Sequence, residues 1–125
     1  MATNDKWGPV NVRLQDLEKV HGPELHMLVS PMLRLVDLLR GDSRLEAVIP
    51  NLSHLSVTLR LSEISRYVIA WYDGESSGYG ISFVDPPFEF SDTSVVPEAQ
   101  AVDTIVEYLT QLQRDAHARS DMTAR

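Results

Sequence analysis

The 125-residue chain contains no cysteine. This absence excludes disulfides and thiolate metal sites, and it is compatible with a reducing cytosol. Apolar runs are short, and none approaches the roughly 18 residues that a membrane-spanning helix needs. The first ten residues, MATNDKWGPV, place an acidic residue and a proline where a signal peptide has its apolar core. We therefore expect a cytoplasmic protein with no membrane partner.

Basic residues are missing from a long stretch of the chain. Between Tyr67 and Gln113 there are eight carboxylates and no lysine or arginine. The net charge of −7 therefore belongs to the second half, because Met1 to Arg66 carries eight residues of each sign. The negative electrostatic potential of the second half repels phosphates, so we expect no nucleic-acid partner. The same potential attracts a basic protein surface.

Hydrophobic periodicity predicts three helices. Apolar residues recur at helical spacing from Val10 to Val20, and Gly22 is placed to end that helix. Ser30-Pro31 is typical of the start of a second, apolar helix that continues to Arg40. The last helix is expected at 95–114, with Ser94 as its N-cap. The segments 1–8 and 115–125 are predicted to be flexible tails of one domain that spans 1–125.

A period of two replaces the helical period after Pro50. Strands are predicted at 55–61, 66–72 and 79–84, with a short fourth strand at 88–90. The fold class is therefore α+β: N-terminal helices, a three- to four-stranded antiparallel meander, and a C-terminal helix packed on one sheet face.

Strict alternation assigns the strand residues to two faces. One set is predicted to face the helices as core, together with the leucines of the first strand: Tyr67, Ile69, Trp71, Tyr79, Ile81 and Phe83. The other set is predicted to line an open face: His54, Ser56, Thr58, Arg60, Val68, Ala70, Tyr72, Gly80, Ser82 and Val84. Solvent, a ligand or a second subunit is each compatible with that open face.

The segment from Gly74 to Gly78, GESSG, matches the G-x-S-x-G pattern of a hydrolase nucleophile elbow. That motif needs a helix directly after the serine, and here an alternating, strand-like segment follows. We therefore interpret Ser76 as part of a hairpin turn, and the sequence predicts no catalytic residue.

Carboxylates concentrate at two places around this hairpin. Asp73 and Glu75 lie at its tip, whereas Asp85, Glu89 and Asp92 follow the next strand. A strand of six residues separates the two groups by about 20 Å, too far for one metal ion or one acid–base pair. No histidine pair has helical metal-ligand spacing either, so we predict no metal and no cofactor.

Three functions are compatible with these patterns. The leading hypothesis is a non-catalytic binding module that presents Asp73, Glu75, Asp85, Glu89 and Asp92 to a basic protein, as an inhibitor or immunity protein does. The first alternative is a small-molecule site or an unrecognised enzyme on the open sheet face, with these candidate residues: His54, Thr58, Arg60, Tyr72 and Ser82. The second alternative is a homodimer through Val68, Ala70, Tyr72 and Val84.

Overall fold

The computed structural model describes residues 6–123, with backbone alone at 21, 23 and 119–123. Its helices are α1 (Gly8–His21), α2 (His26–Arg40) and α3 (Glu98–Thr123), with 3-10 turns at Pro23–Leu25 and Ser43–Leu45. The strands are β1 (Ile49–Ser53), β2 (Ser56–Arg60), β3 (Tyr67–Asp73), β4 (Gly78–Asp85) and β5 (Glu89–Val96). They form one antiparallel sheet in the order β1-β2-β3-β4-β5. The predicted α+β class is confirmed, with five strands instead of three or four.

The additional strand β1 contains Pro50, which pairs with Leu59 of β2. Proline has no N–H to donate to a sheet ladder. Pro50 is tolerated in β1 because β1 is an edge strand. The other new pairing extends β5 to Val96, through the segment where the sequence predicts a loop and the start of the last helix. Pairing with β4 stabilises the extended conformation of this segment, so α3 begins only at Glu98.

Helix boundaries also differ from the predictions. Gly22 ends α1 with φ +80°, as expected of a glycine at a helix end. Helix α2, however, begins at His26, so Pro31 lies inside it and not at its first position. Val29, in the turn before Pro31, is fully buried. At the other terminus the predicted tail from 115 onward is helical as far as Thr123. The remaining parts of the predicted tails, 1–5 and 124–125, lie outside the described residues.

The core lies between one face of the sheet and the helices. Helices α2 and α3 contribute a buried stripe to it: Met32, Leu35, Val36, Leu39, Ala101, Ile105, Leu109 and Leu112. Val10 is buried there too, and so is Trp7, although Trp7 belongs to the segment predicted to be a flexible tail. Tyr108 of α3 stacks on Phe83 of β4 with ring centroids 4.5 Å apart, which ties α3 to the sheet. Within 6–123, no helix is long and apolar enough to cross a membrane.

The predicted face of β3 is wrong. Val68 pairs with Phe83 and Ala70 with Ile81, so Val68, Ala70 and Tyr72 face the helices. Tyr67, Ile69 and Trp71 lie on the opposite face. The small side chains of Val68 and Ala70, both fully buried, leave space for the close approach of the helices. This orientation excludes the predicted dimer set, because Val68 and Ala70 have no surface to offer and Val84 is also buried.

Candidate functional site

The face of the sheet opposite the helices carries its own apolar cluster. Tyr67, Ile69 and Val84 are buried in it, Trp71 packs against them, and no residue of a helix belongs to it. We call this surface the helix-free face, defined by strand residues that point away from the helices: Ile49, Thr58, Arg60, Tyr67, Ile69, Trp71, Asp73, Gly80, Ser82, Val84, Phe90 and Val95. Its outer strands expose large apolar side chains, with Ile49 53%, Phe90 43% and Val95 49% accessible.

Two aromatic rings of this face, those of Trp71 and Phe90, form a continuous cluster with the ring of Phe88 in the β4–β5 turn. The rings of Trp71 and Phe90 have centroids 5.9 Å apart and are tilted by 48°. Phe90 in turn meets Phe88 edge to face at 5.2 Å, and Phe88 is 60% exposed. These planes are not parallel, so they do not form the flat platform on which a planar ring ligand stacks. A tilted, partly exposed aromatic cluster instead matches the apolar centre of a protein–protein interface.

Trp71 occupies a position that only glycine at residue 80 permits. A Cβ atom added at Gly80 would lie 2.1 Å from Cε2 of the indole, which therefore lies directly over the backbone of β4. Gly80 is the cross-strand partner of Trp71. The pair holds the indole flat on the sheet and leaves part of it accessible.

We expect Gly80→Ala to displace the Trp71 indole into solvent, because the added methyl group overlaps it. Tryptophan emission would then shift to longer wavelength. Gly74→Ala is the matched control, since nothing lies within 4 Å of a Cβ at Gly74. An unchanged emission spectrum in Gly80→Ala would contradict the described position of the indole.

Arg60 is the cation on the helix-free face. Its guanidinium carbon lies 3.8 Å from the centroid of the Tyr67 ring, a cation–π contact that covers the ring. The side chain of Arg60 is exposed and stands at the end of the strands where β3 begins. It can therefore still accept a carboxylate from a partner.

The hairpin tip at the opposite end of β3 is acidic. Asp73 lies two residues beyond Trp71 on the same face, and its carboxylate accepts a hydrogen bond of 2.6 Å from the Ser76 hydroxyl. Glu75 is exposed in the turn. The bond to Ser76 and the strand that follows show that GESSG is a hairpin turn, as predicted, and not a nucleophile elbow.

The second predicted acidic group is divided by the fold. Asp85 turns toward the helix side, where its Oδ1 lies 3.1 Å from Nε of Arg66. Arg66 also forms an ion pair with Asp115 of α3 and donates a 2.9 Å hydrogen bond to the Ser91 hydroxyl, and its guanidinium lies over the Phe83 ring. Glu89 faces Asp85 across the strand pair and remains exposed. The charge of Asp85 is therefore largely compensated within the molecule.

Asp92 has a backbone role. It adopts φ +54° at the register shift where β5 bulges opposite Ser82. Tyr108 donates a hydrogen bond to the Asp92 carbonyl, and the Ser94 hydroxyl lies 2.8 Å from the Tyr108 oxygen. Aspartate is one of the few non-glycine residues that enter this conformation readily. Its carboxylate is exposed, in the middle of the strand and not at the sheet end predicted.

Two more carboxylates of the cation-free stretch have partners from the first half. Glu98 accepts a 2.9 Å bond from Arg34, and this bond holds the pKa of Glu98 below its usual value. Asp103 lies 2.9 Å from Arg44. Arginines distant in sequence thus compensate part of the negative charge of this stretch. Among the predicted site carboxylates, Asp73 shares the helix-free face with Trp71, whereas Phe90 lies at the other end of the sheet, opposite Val84.

The residues of the predicted small-molecule site do not converge. Tyr72 faces the helices and packs against Tyr79, whereas His54 is exposed in the β1–β2 turn with φ +54°. The Ser82 hydroxyl is fully buried, donates to backbone carbonyls, and accepts a 3.0 Å bond from Thr93. Arg60 is stacked on Tyr67. Thr58, Arg60 and Ser82 lie on the face opposite to Tyr72, so the five predicted side chains do not line one surface.

A cavity of about 220 Å³ opens beside Arg66, between the β2–β3 loop and α3. Leu112 and Ala116 line its apolar side, and Glu63 and Asp115 its polar side. Arg66 forms ion pairs with Asp85 and Asp115 and donates a hydrogen bond to Ser91, so its charge is compensated within the molecule, although its buried Nε makes no hydrogen bond. Among the side chains that the structure describes, no three from histidine, aspartate or glutamate are grouped to hold a metal ion.

Sequence reasoning missed the aromatic cluster because it assigned Trp71 to the core. The useful signal was the pair formed by Trp71 and Gly80, since a glycine opposite a tryptophan gives the indole space to lie across the neighbouring strand. Comparison with protein-family models, curated proteins and solved structures gave no match for this chain.

Proposed function

We propose that the protein is a non-catalytic binding module whose helix-free face docks a protein partner. The partner presents apolar side chains to Trp71, Phe88 and Phe90 and a basic side chain to Asp73 and Glu75. The observation that carries the proposal is the exposed aromatic cluster on a sheet face that no described helix covers. Aromatic anchors with a charged rim are the usual composition of a protein interface.

The two edge strands of the sheet indicate that a partner binds on the helix-free face and not at an edge. Strand β1 carries Pro50, which has no N–H to donate, and β5 is interrupted by the bulge at Asp92. Both features oppose the addition of a further strand at an edge. The exposed apolar area on the face therefore remains for a partner that packs on top of the sheet.

Affinity capture and reconstitution test this proposal. Proteins retained from an extract of the source cells by the wild-type chain are identified, purified and titrated calorimetrically against variants. Trp71→Ala is expected to weaken binding about 30-fold or more, as loss of a central aromatic anchor does. Replacing Asp73 by Asn and Glu75 by Gln together is expected to weaken it about 5- to 30-fold through loss of charge complementarity.

Leu38→Ala is the matched control, because Leu38 is 46% exposed on α2, in the opposite layer. Its affinity should equal that of the wild type. The proposal is wrong if every purified partner binds Trp71→Ala as tightly as Leu38→Ala.

A further inference from the structure

The helix-free face carries opposite charges at its two ends. Arg60 lies beside Tyr67 at the start of β3, and Asp73 closes the same strand, followed by Glu75. Six residues separate Tyr67 from Asp73, about 20 Å along the strand. The apolar cluster around Trp71 lies between these ends. A partner that matches the whole face must therefore present a carboxylate, an apolar centre and a cation in that order.

We infer that a second copy of this chain meets this requirement and is the partner that docks on the helix-free face. The inference rests on the proposed function and names its partner. In this dimer the helix-free faces of the two sheets are stacked, and a two-fold axis runs between them, parallel to the sheets and perpendicular to the strands. Rotation about this axis reverses the strand direction in the second copy but keeps each strand over its own counterpart. Arg60 of each copy then lies over Asp73 and Glu75 of the other, one strand to the side.

The same operation superposes the apolar parts of the two faces. Phe90 of one copy lies near Val95 of the other, so these exposed side chains cover each other, and Trp71 lies over the position of Ile69, whose own side chain is already buried within its copy. Such a contact is isologous, and both charge pairs form twice. Two sheets stacked in this way lie about 10 Å apart, a distance that an arginine side chain spans with ease.

The size of the face sets the expected strength. Five strands at about 4.8 Å spacing and six residues at about 3.3 Å give a patch roughly 24 Å by 20 Å, near the lower limit for specific interfaces. A negative net charge on both copies further opposes association. We therefore expect a dimer that dissociates reversibly at micromolar concentration, and not an obligate one.

Sedimentation velocity of the full chain, from about one to several hundred micromolar, measures this equilibrium. The wild type and Leu38→Ala should show the same concentration-dependent dimer. Trp71→Ala should weaken association at least about 10-fold. Circular dichroism of each variant shows whether the fold is intact.

Charge reversal provides the sharper test. Arg60→Glu alone places like charges together at both ends of the interface, and so does the pair Asp73→Arg and Glu75→Arg. Each protein alone should associate at least about 10-fold more weakly than the wild type. An equimolar mixture of the two proteins restores opposite charges at both ends, and it should form a heterodimer within about threefold of the wild-type affinity.

A wild-type chain that stays monomeric throughout this range would overturn the inference. So would a dimer that is insensitive to Trp71→Ala, or a mixture that associates no better than its components. The proposed function survives these results if a purified basic protein still loses affinity for Trp71→Ala. If neither association depends on Trp71, both proposals fail.

Discussion

Replacement of Tyr79 by alanine should lower the free energy of unfolding by about 3–5 kcal/mol, the usual cost of deleting a buried aromatic ring. Tyr79 is 1% exposed and points from β4 into the layer between the sheet and the helices. Its ring meets Tyr72 edge to face at 5.6 Å. Chemical denaturation followed by circular dichroism measures the change.

Tyr79→Phe separates the hydroxyl group from the ring. The hydroxyl donates a 2.7 Å bond to the Pro31 carbonyl of α2 and lies 3.2 Å from the Glu98 carboxylate of α3. Its removal is expected to cost about 0.5–1.5 kcal/mol, because the ring and its packing remain. A loss as large as that of the alanine variant would contradict this division between ring and hydroxyl.

The Tyr79 hydroxyl also makes stability depend on alkaline pH. Burial, and then the charge of Glu98, raise its pKa to about 12. Its pKa in the unfolded chain is about 10, so the unfolded state releases the proton first and stability falls as pH rises from about 10 to about 12. Tyr79→Phe should therefore lose stability less steeply than the wild type in that window. Parallel curves for the two proteins would contradict the shifted titration.

Gly78→Ala is expected to lower the free energy of unfolding by about 1–3 kcal/mol through steric conflict. A Cβ at this position would lie 2.6 Å from the carbonyl oxygen and 3.2 Å from the carbonyl carbon of Val96, where β4 pairs with β5. The conflict involves backbone, so it is relieved only if the two strands move apart. Denaturant titration of the purified variant measures the loss.

The same hairpin supplies the control for this substitution. Gly74 has no neighbour within 4 Å of an added Cβ, so Gly74→Ala should change stability by no more than about 0.5 kcal/mol. Equal losses in the two variants would mean that loop entropy, and not the contact with Val96, determines the cost at Gly78.

Much of the fold could be predicted because local patterns and tertiary packing agree. Helices α1 and α2 and strands β2 and β4 all form where the periodicity of the sequence predicts them. The regions that failed are those where pairing overrides local chemistry. Ser94 and Pro97 are typical of a helix start, yet Ser94 pairs with Ile81 in β5 and the helix begins only at Glu98.

The candidate site could be predicted only in part, and β3 shows why. Every residue from Tyr67 to Tyr72 is apolar or aromatic, so alternation does not reveal which set faces the helices. Register decides it: Tyr72 pairs with Tyr79 across the β3–β4 hairpin, which places Trp71 opposite Gly80 on the helix-free face. The periodicity that identified the strand therefore could not show that Trp71 lies on the helix-free face.

The sequence by itself determined the α+β class, the acidic second half and the separation of the hairpin tip from the far end of β4. Those properties depend on composition and on strand length, which survive any register. Tertiary structure alone decided which carboxylates are paired with an arginine, because Arg66 and Arg34 reach Asp85 and Glu98 across the fold. It also decided which aromatics are exposed, since a shift of one residue in β3 exchanges its two faces.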